Sequence, residues 1–291
     1  MIQKDHVFKA VIYCIAAHFL FAVMGFCAKF LADTHHVAEI AFYRNIMILV
    51  PLTAFIFIAR KTHLFKTNKP KTIALRSTIG GFGMMITFAA LAALPMSYAT
   101  VIFYTSSILT PVLAFFFLKE HIGIHRWSAV GIGMIGVIIV AQPTGAVSII
   151  GLILAIATAC IHGVMFTLLR SLKTESSITV TFYFILGGTI IPALFLPWVG
   201  QAFIMDEIWI FAILGLSGGI AQFCLANAYK YAPAAVVTPF AYSSLIWSIS
   251  FDILFFQYKM DFIALFTGFA MICGAQLYII YREYINGRRT E

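Results

Sequence analysis

A chain of 291 residues has room for one or two soluble domains, but its composition excludes them. Hydrophobic residues make up 62% and charged residues 10%, where soluble domains carry about 25% charged residues. The net charge of +8 does not point to nucleic acid, because the bases sit in short segments beside apolar runs and no basic tract is interleaved with aromatics.

The chain therefore reads as an all-α integral membrane protein, since roughly 20 apolar residues satisfy their own backbone as a helix in lipid. Charges and turn residues divide it into ten predicted spans: 7–31, 37–59, 73–93, 97–118, 127–141, 149–169, 178–199, 208–229, 233–256 and 261–281. The first follows Lys4 and Lys9 as a secretory signal would. Its run to Leu31 is too long for a signal core and lacks a small-x-small cleavage site, so it is expected to stay as a membrane helix. The fifth span is short. Cys14, Cys27, Cys160, Cys224 and Cys273 all fall in apolar runs without a C-x-x-C pair, and they read as small space-filling residues rather than a disulfide framework.

The segments between spans alternate in charge. Lys4, Lys9, Arg60 to Lys71, Arg76, Lys119, Arg126, Arg170, Lys173, Lys230 and Arg282 to Arg289 fall on one side. The other side holds Lys259, with Lys29 near it, and the acids Asp33, Asp206, Glu207 and Asp261. Basic segments remain cytoplasmic. Both termini are thus expected inside the inner membrane of a bacterium, as an even number of spans also requires.

The segment Pro95–Glu120 repeats in Pro233–Tyr258 without gaps: Pro95 matches Pro233, Thr100 matches Thr238, Tyr104 matches Tyr242 and Ser106 matches Ser244. Further on, Gly136 matches Gly274, and Val23–Lys29 resembles Val164–Arg170. The expected organisation is two five-helix repeats, residues 1–143 and 144–291. Because five is odd, the second enters the membrane from the opposite face. Such inverted repeats build transporters that rock around a midplane cavity.

Several segments carry a family likeness: E-I-A-F-Y-R (Glu39–Arg44), L-R-S (Leu75–Ser77), G-F-G-M (Gly81–Met84), A-L-P-M-S-Y-A-T (Ala93–Thr100) and F-F-F-L-K-E (Phe115–Glu120). With these the chain resembles the drug/metabolite transporter superfamily in its ten-helix EamA branch. In the second half Gln257-Tyr258 replaces the acid that usually closes the matching helix. The first half is most similar to transporters that take up S-adenosylmethionine in intracellular bacteria, and the same motifs occur in exporters of amino acids and other metabolites. The resemblance implies a secondary transporter.

Ionisable residues within spans are costly and are functional candidates by default. Arg44 lies about 10 Å into the second span at 1.5 Å per residue. It reads either as an anchor for a substrate carboxylate or phosphate, which a guanidinium grips bidentately, or as half of a structural ion pair. Asp252 lies at similar depth in the ninth span and is the expected partner. Glu39 is the poorer one, about 140° round the helix from Arg44. His18 and His162 sit near the middle of spans one and six, as proton relays, substrate ligands or hydrogen-bonded packing residues. Tyr104, Ser106, Tyr242, Ser244 and Trp247 lie near the midplane of the matched spans, where they line a cavity or pack helices. Gln222 and Asn227 are weaker candidates.

Other signals mislead. Gly131-x-Gly133-x-x-Gly136 spells a dinucleotide fingerprint without the strand that must precede it, and with Gly215-x-x-x-Gly219 it reads as helix packing. His121 and His125 have the spacing of a metal pair but no third ligand nearby. No P-loop, G-x-S-x-G or H-E-x-x-H is present. The expectation is a carrier and not an enzyme, with no cofactor, metal or nucleic acid. Its partners are a small organic solute and the lipid bilayer, and it acts as a monomer or homodimer.

Overall fold

The computed structural model describes residues 4–106, 128, 131, 132, 135, 136, 138, 139, 148–172, 174–201, 205–231, 240–258 and 261–288. Among these every regular element is helical. The principal helices are α1 (Lys4–Leu31), α2 (Val37–Ile58), α3 (Pro70–Ala93), α4 (Met96–Phe103), α5 (Ile149–Ser171), α6 (Ser177–Ala193), α7 (Ile208–Tyr231), α8 (Ser243–Leu254) and α9 (Phe262–Arg288). Much of the fourth and fifth predicted spans and the start of the ninth lie outside the described residues, as do His121, His125, Gly133 and Phe115–Glu120.

Five stretches of 21–24 residues, from α1, α2, α3, α5 and α7, are long and apolar enough to cross a membrane. At 1.5 Å per residue each spans roughly 32–36 Å, against a hydrocarbon core of about 30 Å. Their outward faces carry large apolar side chains: Ile58 is 83% exposed and Trp209 60% exposed. Water would penalise such a surface, whereas lipid tails do not. The chain is a multi-pass membrane protein.

Helix ends follow local chemistry. At the start of α2 the His36 side chain accepts from Ala38 N–H at 3.2 Å, and Glu39 reaches back to His36 N–H at 3.3 Å. This reciprocal cap satisfies two of the donors a helix N-terminus leaves free. Pro70 opens α3 at its first turn, where its missing N–H costs nothing. The predicted span 178–199 is not one helix. It ends at Ala193 and resumes as a single turn at Leu196–Val199. Pro197 has no N–H to donate to the Ala193 carbonyl, and its ring disfavours helix before it.

The packing interleaves the two parts of the chain. Helix α1 lies along α7, α3 packs on α5 and α6, α2 on α6 and α7, and α8 on α1 and α4. The α2–α7 crossing is close because α7 turns glycines toward α2. A Cβ on Gly215 would lie 2.9 Å from the Arg44 carbonyl oxygen, and one on Gly219 2.3 Å from Ile48 Cγ1. The helix-packing reading of Gly215-x-x-x-Gly219 holds in this structure.

Candidate functional site

A cavity of about 230 Å³ runs between the helices. This is below the roughly 300–1,000 Å³ typical of small-molecule pockets. One stripe of α3 forms a wall: Arg76, Gly80, Gly83, Thr87 and Leu91, which recur every three or four residues. Opposite stand His18, Phe21 and Met24 of α1, His162 and Phe166 of α5, and Gln222 and Tyr229 of α7. Tyr104, Ser106, Ser244 and Ser248 line it from the matched segments.

Arg44 belongs to this lining yet exposes none of its surface. Its Nη1–H donates to Asn45 Oδ1 at 2.6 Å. The Asn45 amide donates in turn to the Ala41 carbonyl at 2.7 Å and the Gly188 carbonyl at 2.8 Å. Among the described residues the Nε–H and Nη2–H groups of Arg44 have no partner. That edge lies against Gly218, where a Cβ would come within 2.5 Å of Nε, 2.7 Å of Nη2 and 2.7 Å of Met24 Sδ. The guanidinium is thus fixed on one side and unsatisfied on the other, behind a flexible thioether.

The histidines of α1 and α5, unmatched by the repeat, face the same cavity. His18 Nδ1 lies 2.8 Å from the Cys14 carbonyl. A carbonyl only accepts, so the proton is on Nδ1 and Nε2 keeps its lone pair. His162 packs edge-on to Phe103 at 5.6 Å. Tyr104 O–H donates to the Ala241 carbonyl at 2.9 Å and lies 2.6 Å from Ser244 Oγ. The phenol proton goes to the carbonyl, so the Ser244 hydroxyl donates to the phenol oxygen. Tyr104 meets its repeat counterpart Tyr242 edge-to-face at 4.9 Å.

Four candidates stand elsewhere, and Tyr242, in edge-to-face contact with Tyr104 but absent from the lining, is one of them. Trp247 is absent from the lining and packs edge-on to Phe19 at 4.9 Å. Asp252 does not pair with Arg44. Its carboxylate accepts from Met96 N–H at 3.0 Å, Ser97 N–H at 2.7 Å and the Ser97 hydroxyl at 2.7 Å. The reason is local. The N-cap of α4 is Pro95, which makes no side-chain cap, so the first amides of α4 need an acceptor from another helix. Glu39 likewise bonds away from the cavity, to His35 Nδ1 at 3.3 Å and to the Gln201 amide. Among the described residues Arg44 has no ion pair.

Lys29 completes this corner. Its ammonium donates to the Leu91 and Leu94 carbonyls at 2.8 and 2.6 Å, at the C-terminus of α3, and faces the rings of Phe256 and Tyr258. A cation thus ends one helix and an anion begins the next, on either side of Leu94-Pro95. Sequence reasoning placed Lys29 and Arg76 among the topology charges and passed over Asn45. The adjacency of Asn45 to Arg44 was the available signal, because a polar amide one residue from a buried base invites a hydrogen bond. Asn227, a weaker candidate, is buried outside the lining with its amide on the Phe223 carbonyl at 2.9 Å.

The sequence profile of the EamA-like transporter family matches residues 8–142 and 149–280. A Rickettsia felis protein described as an S-adenosylmethionine uptake transporter is 29% identical, over 88% of this chain and 87% of its own length. A Rickettsia bellii protein of the same description is 30% identical over 88% of each chain. One solved structure, 18% identical, superposes with a TM-score of 0.66 over 97% of this chain and 98% of that one, which is a likeness of fold.

Proposed function

Since this chain belongs to the EamA-like transporter family, we propose that it is a secondary transporter carrying a small polar organic metabolite by alternating access. The observation that carries this reading is the cavity itself, in which buried Arg44 and Tyr104 and half-buried His18 and His162 converge between helices drawn from both parts of the chain. Ten spans in two inverted halves, residues 1–143 and 144–291, account for the two separate profile matches. Both termini face the cytoplasm, and the protein sits in a bacterial inner membrane.

The substrate class is that of S-adenosylmethionine and related nucleoside or amino-acid metabolites. Support comes from the names of the relatives and from the cavity's chemistry. The Nε and Nη2 edge of Arg44 has the fork that a carboxylate fills. Phe21, Phe103, Phe166 and Tyr104 supply aromatic walls against which a purine lies flat. His18 Nε2 offers an acceptor to an amino group. Rocking of the halves then opens the cavity to each side in turn.

Counterflow in proteoliposomes tests this. Vesicles loaded with S-adenosylmethionine are expected to accumulate the labelled compound, and Arg44→Ala that remains folded is expected to abolish the accumulation. The same vesicles loaded with amino acids examine the other substrate arm. No accumulation of any solute by folded, inserted protein would remove the transport reading.

A further inference from the structure

Arg76 has no part in the reading above, yet it lines the same cavity. It stands in the second turn of α3 and is 5% exposed, so it neither snorkels to the interface nor faces lipid. Its Nη1 reaches the Val180 carbonyl at 3.4 Å, beyond the usual 2.7–3.2 Å range. Its Nε–H has no partner among the described residues. The guanidinium lies over the Phe184 ring, 4.7 Å from the centroid, and Phe184 is itself part of the wall.

Guanidinium remains charged in proteins and offers five donors. Among the described residues that line the cavity there are two arginines and no aspartate or glutamate. Asp252, one turn beyond Ser248, is the buried carboxylate on that side, and its oxygens are taken up by the first turn of α4. The cavity thus carries two cations with unfilled donors and no anion from the described chain. A charge removed from water is tolerated when something pairs with it.

The two cations stand at different heights. Asn45, which holds Arg44, touches Met84 Sδ on α3 at 3.2 Å. On α6, Asn45 bonds the Gly188 carbonyl and Arg76 reaches the Val180 carbonyl, two acceptors eight residues and so about 12 Å apart at 1.5 Å per residue. That is the length of a nucleoside-sized body and not of a small diacid.

We propose that Arg76 is a second anion-binding residue of the cavity, and that the solute it serves is an organic anion of nucleoside size with acidic groups toward both ends. The proposal rests on the transporter reading and narrows it: within that class, a doubly acidic solute is held in preference to a sulfonium cation with one carboxylate.

The test keeps one body and moves the charge. Adenosine has an acid at neither end, adenosine 5′-monophosphate at one, and its N6-(1,2-dicarboxyethyl) derivative at both; S-adenosylmethionine is the cationic comparator. Affinity is read from thermal unfolding in detergent and from counterflow competition. The doubly acidic probe is expected to bind about tenfold more tightly than the monophosphate, the size of one charge-assisted hydrogen bond. Arg76→Gln is expected to erase that advantage while leaving adenosine and the monophosphate within about twofold, and Arg76→Lys to keep part of it. Equal affinity for the two acidic probes overturns the proposal, as does an Arg76→Gln variant that weakens all four solutes alike, the mark of a purely structural residue. S-adenosylmethionine counterflow that the acidic probes fail to inhibit overturns the proposal and leaves transport standing. Neither binding nor counterflow of any solute removes the transporter reading, and this proposal with it. Should Arg76→Gln fail to fold, the wild-type ranking and Arg76→Lys decide.

Discussion

Arg44 is the residue on which the cavity's chemistry turns, and its neighbours explain how a membrane helix keeps it. Asn45 occupies one nitrogen, while Gly218 leaves room for the other edge. A methyl group at Gly218 would fall 2.5 Å from Arg44 Nε, so Gly218→Ala forces the guanidinium off its seat. Overpacking of this kind costs about 1–3 kcal/mol. The expected outcome is a lower unfolding temperature in detergent together with loss of solute-induced stabilisation. Gly131→Ala is the control, because among the described residues a Cβ there meets nothing within 4 Å and the unfolding temperature should not fall. Gly218→Ala with wild-type binding would show that the position of Arg44 does not matter to the site.

At the scale of elements, the corner between α3 and α4 shows why two charges are buried near a span end. Helices leave carbonyls bare at one end and amides bare at the other, and Leu94-Pro95 brings both kinds together with no local cap. Lys29 from α1 and Asp252 from α8 supply what is missing. Asp252→Asn keeps one acceptor oxygen but turns an NH₂ group toward an amide donor, which leaves a buried polar group unsatisfied at about 1–3 kcal/mol. Amide exchange at Met96 and Ser97 is expected to speed up selectively, and Ser97→Ala, which removes one bond of three, should have the smaller effect. Uniform acceleration across α1 and α3 would instead mean that Asp252 holds the bundle and not this corner.

For the whole molecule, two groups of polar contacts between the two parts of the chain stand near opposite faces. Near one face His35 lies between Glu39 and Glu207, and Glu39 accepts from the Gln201 amide. Near the other, Glu175 accepts from Asn68 N–H at 3.1 Å, Thr179 donates to the Leu64 carbonyl at 2.8 Å, and Tyr183 donates to the Phe65 carbonyl at 2.6 Å. In an alternating-access carrier one group must part while the other holds. Glu207→Ala is therefore expected to favour opening on the His35 side. A closure bias of about 1.4 kcal/mol corresponds to a tenfold change in population. Labelling of Cys27, buried near the end of α1, by an impermeant maleimide should rise by up to that factor while Cys160 stays constant. Equal labelling in mutant and wild type would mean that this cluster does not hold the face shut.

Composition and run length alone determined that this chain lives in lipid, that its regular structure is helical, and where α1, α2, α3, α5 and α7 lie, because apolar length against bilayer thickness is a one-dimensional property. The matched Tyr104 and Tyr242 segments were also readable, whereas the reading of 178–199 as one span passed over Pro197 and the carbonyl it leaves bare. The partners of the buried charges were not readable. Similar depth suggested that Asp252 would meet Arg44, but depth is one coordinate of three, and the demand of an uncapped helix start decided where the carboxylate went. The same holds for Arg76, which in sequence is one more base beside a basic segment. Only the packing of α3 against α5 and α6 turns it inward to share a cavity with Arg44, since which face of a helix is buried depends on neighbours far away in the chain.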